Sequence, residues 1–223
     1  MKYNKKILNS PDVIWQGSSQ DISQGIKKAA LTFDDGPDDN WTFQILDQLS
    51  HYNVQATFFC LGEMIQQNPL VLQKIVEAGH IVGNHTWNHP LVTEIPLIEA
   101  RRQIERTTDE INRVIGLRPY LFRPPHGELD EAVFQEILSL NYKIVQWKID
   151  SEDYLGLTGP QVAMNVLSRV QPGTIILQHC AAYDHQNSIA GTVKALPTII
   201  ESLFKDGYDI VPISILAKIP AYL

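Results

Sequence analysis

Apolar residues along the chain gather into short runs of strand length, and these alternate with stretches of helical period. The runs predict strands near Ala29–Phe33, Ala56–Leu61, His80–Gly83, Tyr120–Arg123, Lys143–Trp147, Thr174–Gln178 and Asp209–Ile213, bounded by turn-forming residues. Between them, Leu97, Ile104, Ile111 and Ile115 share one face of a helix running from about Pro96 to Ile115 and stopped by Gly116. Asn68-Pro69 reads as an N-cap followed by proline at the first helical position, and Gly79 reads as the stop. Asp130 caps a helix that buries Val133, Phe134, Ile137 and Leu138, and Thr158 caps another. A last helix ends at Gly207 and carries Leu196, Ile199, Ile200, Leu203 and Phe204; Pro197 in its first turns predicts a late start. Residues 1–27 are polar and aperiodic, and predict an N-terminal extension packed on a domain formed by residues 28–223.

Seven strands alternating with helices need crossover connections, so the sheet is expected to be parallel and the fold class α/β. A closed or nearly closed (β/α) barrel is the first choice and a doubly wound open sheet the second. Both put their active sites at the C-terminal ends of the strands.

Composition narrows the class without naming a function. A chain of 223 residues, 44% hydrophobic and 19% charged, suits one large globular domain with a sizeable core. The net charge of −7 argues against a nucleic-acid partner and against electrostatic docking on an anionic membrane or polymer. The two cysteines, Cys60 and Cys180, make no CxxC spacing and are expected to be buried free thiols. Met1 to Lys6 is basic, but Ile7-Leu8 runs directly into Asn9, Ser10, Pro11 and Asp12, so neither a signal peptide nor a transmembrane span is expected.

The chemistry lies at the predicted strand ends. Asp34 and Asp35 follow the first strand, His85 and His89 the third; Arg123 ends the fourth, Asp150 follows the fifth and His179 the sixth. Ionisable groups placed by packing alone would scatter over both ends of the sheet. Two adjacent carboxylates are costly to crowd together unless a cation or a proton shares the site, and Gly36-Pro37 turns the chain after them. His85 and His89, at i and i+4, face the same way on a helical turn; with one Asp they make a three-ligand set that leaves positions open for water and substrate. Arg123-Pro124-Pro125-His126-Gly127 is a rigid turn whose amides at His126 and Gly127 are expected to point into a site and bind a developing oxyanion. Trp147 to Tyr154 brings acids and aromatics together, which suits a sugar-binding groove. Taken singly, each segment has a plain structural reading: an acidic turn, a chance HxxxH, a surface arginine, rim aromatics, a lone histidine after Leu177-Gln178. His51, His80 and His185 keep that reading.

Together, the five segments resemble the polysaccharide deacetylase family, the group sharing the NodB homology domain (carbohydrate esterase family 4). The likeness runs from about Lys28 to the C-terminus. Thr32 to Pro37 carries the first motif unchanged, and His85 to His89 the second. Arg123 to Gly127 carries the third with His126 where an aromatic is usual. Asp150 to Asp153 carries the fourth with Tyr154 in place of Trp, and Leu177 and His179 the fifth. The resemblance implies a distorted, incomplete barrel. It implies one divalent metal, commonly zinc, on Asp35, His85 and His89, with Asp34 as general base and His179 as general acid. Arg123 would orient Asp34, Asp150 would touch Arg123 or His179, and Leu177 would line the acetyl pocket. His126, Gly127 and Tyr154 would shape the oxyanion site and groove.

The implied reaction is hydrolysis of the N-acetyl group of an amino sugar, N-acetylglucosamine of peptidoglycan or chitin-like oligomers, by a monomer acting on a glycan. Relatives of this type work outside the cytoplasm or in the cell envelope. A same-fold metal hydrolase acting on another amide or ester, and a glycan-binding protein without catalysis, are the competing readings.

Overall fold

A computed structural model of the chain describes residues 5–183 and 189–223. The basic start up to Asn4 and His185 lie outside the described residues. Strands β1 (Val13–Ile14), β2 (Lys28–Asp34), β3 (Thr57–Cys60), β4 (Ile81–Asn84), β5 (Leu121–Phe122), β6 (Lys143–Val145), β7 (Ile149–Asp150), β8 (Thr174–His179) and β9 (Asp209–Ile210) form one sheet. Its order is β1-β6-β5-β4-β3-β2-β8-β7, every neighbour is parallel, and β9 pairs with the start of β2. The sheet curls into an incomplete (β/α) barrel, open between β1 and β7.

All seven expected strands are present. The two additional ones, β1 and β7, are two residues long. β1 comes from the N-terminal extension, which therefore supplies an edge strand: Val13 and Ile14 pair with Ile144 and Val145. Gln16 then bridges to Thr174, so this segment crosses the gap at the foot of the barrel.

Period-two alternation decides what each strand shows to each side. On β2, Ala29, Leu31 and Phe33 pack outward in the main core with Ile45 and Leu49 of the helix Trp41–His51. Ala30 faces inward, in a cluster with Phe59, Ile175, Ile213 and Leu216 that plugs the lower barrel. The inward series on β2 continues as Thr32 and Asp34. On β8 it runs Ile175, Leu177, His179. Parallel register sets Asp34 beside His179. The interior is thus apolar below and ionisable at the rim.

Helix punctuation follows the sequence except at Asn68. This residue takes the N-cap position, but its side-chain amide donates to the Pro37 and Met64 carbonyls at 3.1 and 3.2 Å and does not cap the helix that follows. Pro69 opens Pro69–Glu77, and Gly116 ends Leu97–Ile115 in a left-handed conformation, φ 70°. The Asp130 carboxylate accepts from Val133 N–H at 2.8 Å. The last helix differs: it begins at Ala190 and runs through Pro197 to Lys205. Its apolar face, Ala195, Leu196, Ile199, Ile200 and Leu203, is fully buried in the main core, and that packing outweighs the one backbone bond proline removes. Cys60 and Cys180 are buried free thiols, as expected. Among the described residues no helix is long and apolar enough to cross a membrane.

Candidate active site

A cavity of about 380 Å³ opens at the C-terminal ends of the strands, lined by Asp34, Asp35, His85, His89, His126, Trp147, Asp150, Tyr154, Leu177 and His179. Of the residues expected at the site, only Arg123 and Gly127 lie outside this lining.

Backbone conformation is unusual around the cavity. Asp35, Thr86, His89, His126 and Glu152 all have positive φ without being glycine, a strain of about 1–3 kcal/mol each that persists where the surroundings over-determine it. The other three such residues, Asn53, Asn141 and Lys218, sit just beyond helix ends, where this conformation is routine. Gly36 is needed for a different reason: a Cβ there would lie 2.4 Å from Cys180 Sγ. The tight approach lets the turn after Asp35 close over β8.

Arg123 lies beneath the floor, fully buried. Its Nη1 donates to Asp34 Oδ1 at 2.7 Å and to Thr32 Oγ1 at 2.9 Å, and Nε donates to the Val145 carbonyl at 3.3 Å. The guanidinium stacks on Phe59, 4.2 Å from the ring centroid. Burial draws its pKa below the usual guanidinium value, against the pull of Asp34 and Asp150. A buried charge this well paired holds its partner in one orientation: Asp34 keeps Oδ1 on Arg123 and turns Oδ2 toward His85, 3.7 Å from Nε2.

His85 uses Nδ1 on the Arg123 carbonyl at 2.7 Å. A carbonyl only accepts, so Nδ1 carries the proton and the Nε2 lone pair faces Asp35. Asp35 Oδ1 lies 3.5 Å from His85 Nε2 and 3.5 Å from His89 Nε2, buried and with no hydrogen-bond partner among the described residues. The ligand atoms of the three residues all lie within 4.8 Å of one another. A buried carboxylate oxygen without a hydrogen bond, set between two imidazole Nε2 atoms, is what a divalent cation accepts, so the donor set fits the expected metal. Burial works against the charge on Asp35, but the neighbouring His85, His179 and His89 rings hold its carboxyl below the usual range.

His179 faces this triad from β8. Its Nδ1 meets Asp153 Oδ1 at 2.7 Å, and its backbone N–H donates to Asp153 Oδ2 at 2.8 Å. Burial opposes the imidazolium, but the Asp153 carboxylate overcomes it, with help from Asp35 and Asp34, and raises the His179 pKa to about 10. This leaves Nε2 as the proton-bearing atom turned away from Asp153.

Two expectations need correction. Asp150 forms an ion pair with neither Arg123 nor His179 among the described residues. Its Oδ1 accepts from Glu152 N–H at 2.8 Å. Its charge reaches both groups through space, and burial raises its own pKa. The contact assigned to Asp150 belongs to Asp153, three residues on, which stood in the fourth motif without a role. In the 3₁₀ turn Pro125–Gly127 the second expected oxyanion donor is already taken: Gly127 N–H donates to the Pro124 carbonyl at 3.0 Å. Gln146 Nε2 fixes the turn by donating to the Gly127 carbonyl at 3.0 Å. The His126 ring packs edge-on against His89, centroids 4.7 Å apart, and Tyr154 packs edge-on against His179 at 5.6 Å.

Residues 21–145 match the polysaccharide deacetylase family. The chain is 41% identical over 180 residues to a peptidoglycan-N-acetylglucosamine deacetylase of Bacillus cereus, covering 81% of this chain and 64% of that protein. It is 34% identical over 208 residues to a peptidoglycan-N-acetylmuramic acid deacetylase of Bacillus subtilis, covering 93% of this chain and 42% of that one. The chain therefore spans less than two thirds of the length of either relative. Its fold superposes with a TM-score of 0.88, at 36% identity and over 94% of both chains, on the solved structure of a peptidoglycan N-acetylglucosamine deacetylase in complex with 4-naphthalen-1-yl-N-oxidanyl-benzamide.

Proposed function

The chain belongs to the polysaccharide deacetylase family, and from that membership we propose that it hydrolyses the N-acetyl group of N-acetylglucosamine in a glycan, releasing acetate. Peptidoglycan is the favoured polymer, which puts the work of the enzyme in the cell envelope. The observation that carries the reading is one arrangement. The unbonded Asp35 oxygen lies between His85 and His89, with Arg123-bound Asp34 on one side and Asp153-bound His179 on another.

Asp35, His85 and His89 would hold a divalent metal, zinc by its preference for this donor set. When bound, such a cation lowers the pKa of water and polarises an amide carbonyl. Asp34 is the general base: with Oδ1 fixed by Arg123, Oδ2 takes the proton of the attacking water. In this reading the backbone amide of His126 stabilises the charge that develops on the carbonyl oxygen. His179, kept protonated by Asp153, gives its Nε2 proton to the departing nitrogen, because an unprotonated amide nitrogen is a poor leaving group. Leu177 offers an apolar wall to the acetyl methyl, and Tyr154 and Trp147 offer flat faces to the sugar.

The test is acetate release by metal-loaded protein from N-acetylglucosamine oligomers and from peptidoglycan fragments, with product masses showing which sugar is changed. Loss of acetyl groups from N-acetylglucosamine units supports the reading. Loss confined to N-acetylmuramic acid would move the substrate to the neighbouring sugar. Stoichiometric metal binding with no acetate from either would leave a metal hydrolase of another amide or ester, and esters and cyclic amides would replace the glycan.

A further inference from the structure

Behind the acid lies one more polar contact, delivered by a helix and not by the strand ends. Asp153 is 1% exposed. Its Oδ2 accepts from the His179 N–H at 2.8 Å and also from the Thr192 hydroxyl at 2.6 Å, while Oδ1 faces His179 Nδ1 at 2.7 Å. Thr192 is fully buried in the first turn of the helix Ala190–Lys205. A helical threonine commonly turns its hydroxyl back to a carbonyl of the preceding turn, as Thr107 and Thr108 do here. Thr192 reaches instead across to the carboxylate of another segment. The approach is close: a Cβ at Gly191 would lie 2.1 Å from the Leu157 carbonyl oxygen. Only glycine lets the start of this helix seat against the loop that carries Asp153.

We propose that Thr192 is a positioning residue for the deacetylation, acting through Asp153. Its hydroxyl fixes the second carboxylate oxygen, so that the carboxylate holds His179 with Nδ1 donating and Nε2 presented to the leaving nitrogen. Without it, that oxygen keeps one backbone donor, and a buried lone pair loses its partner. The inference rests on His179 being the acid.

Thr192→Ala and Thr192→Ser both lose the γ-methyl and differ only in the hydroxyl. Thr192→Val keeps the shape and loses the hydroxyl. The expected result is a fall in kcat of about tenfold for Ala and Val with KM changed less than about twofold, and a rate within about twofold of the parent for Ser. A second readout needs no turnover: the downfield proton resonance of the His179 Nδ1–H bonded to Asp153. It is expected to shift or broaden in Ala and Val and to stay in place in Ser. Parental kcat and an unmoved resonance in Val would overturn the proposal. Equal impairment of Ala and Ser would do so too, since that marks lost packing. Absence of acetate release by the parent protein would overturn the deacetylase reading, while the resonance still decides whether Thr192 sets the Asp153–His179 pair.

Discussion

His80 and His179 are the same side chain at opposite ends of the strands, and the protein treats them in opposite ways. His80 precedes β4 at the foot of the sheet, 4% exposed. Its Nδ1 accepts the Ala56 N–H at 3.1 Å and its ring meets Phe58 edge-on. Burial pushes its pKa down to about 4, and among the described residues it forms no ion pair with a carboxylate. His179 closes β8 at the rim, and Asp153 pulls its pKa up to about 10. Burial disfavours charge in both. What differs is the partner, and the partner decides whether a histidine is a neutral packing element or a standing proton donor.

The largest effects lie at the rim. Asp34→Asn is expected to keep the metal and lose turnover by two to four orders of magnitude, on the order of what a general base contributes, while His85→Ala loses metal as well. Metal analysis beside acetate release separates the two. Asp153→Asn is expected to cost about a hundredfold in kcat and to move the alkaline limb of the pH–rate profile down toward the ordinary imidazole range. An unmoved limb would assign the acid to another group.

Stability against pH separates the two histidines. The folded pKa of His179 lies above its ordinary 6.5, so its pairing stabilises fully below pH 6.5 and is lost as pH rises toward about 10. The folded pKa of His80 lies below 6.5, so the unfolded chain takes the proton first. Stability is lost as pH falls from 6.5 toward about 4, at roughly 1.4 kcal/mol per pH unit at most. Urea midpoints across pH 4 to 10 are expected to show the acid-side loss disappear in His80→Gln and the alkaline-side loss disappear in Asp153→Asn. The smallest effect is expected from Tyr154→Trp: a change in KM of a few-fold with kcat held, reflecting a larger wall beside His179.

Much of this contrast was legible in the sequence. Seven strands, their parallel order, and the gathering of Asp34, Asp35, His85, His89 and His179 at one end follow from alternation and from where chemistry sits after each apolar run. The plain reading of His80 also follows, because it opens a strand and does not end one. What escaped depends on contacts between distant segments. β1 and β7 are two residues each, too short for any periodicity. Asp153 and Asp150 are equally good acids on paper, and only the fold of the 3₁₀ turn Asp153–Leu155 decides which meets His179. The Gly127 amide looked available because its partner, the Pro124 carbonyl, is committed by turn geometry alone. Pro197 suggested a late helix start, but the buried face on both sides of it carries the helix through.

In the proposed reaction, the triad of Asp35, His85 and His89 makes the deacetylation metal-dependent. Its most direct test is one preparation assayed for acetate release from N-acetylglucosamine oligomers in three states: loaded with zinc, stripped with chelator, and reloaded. The expected outcome is release, loss of release, and recovery, with Asp34→Asn silent in all three states. Undiminished release from the stripped protein would contradict it.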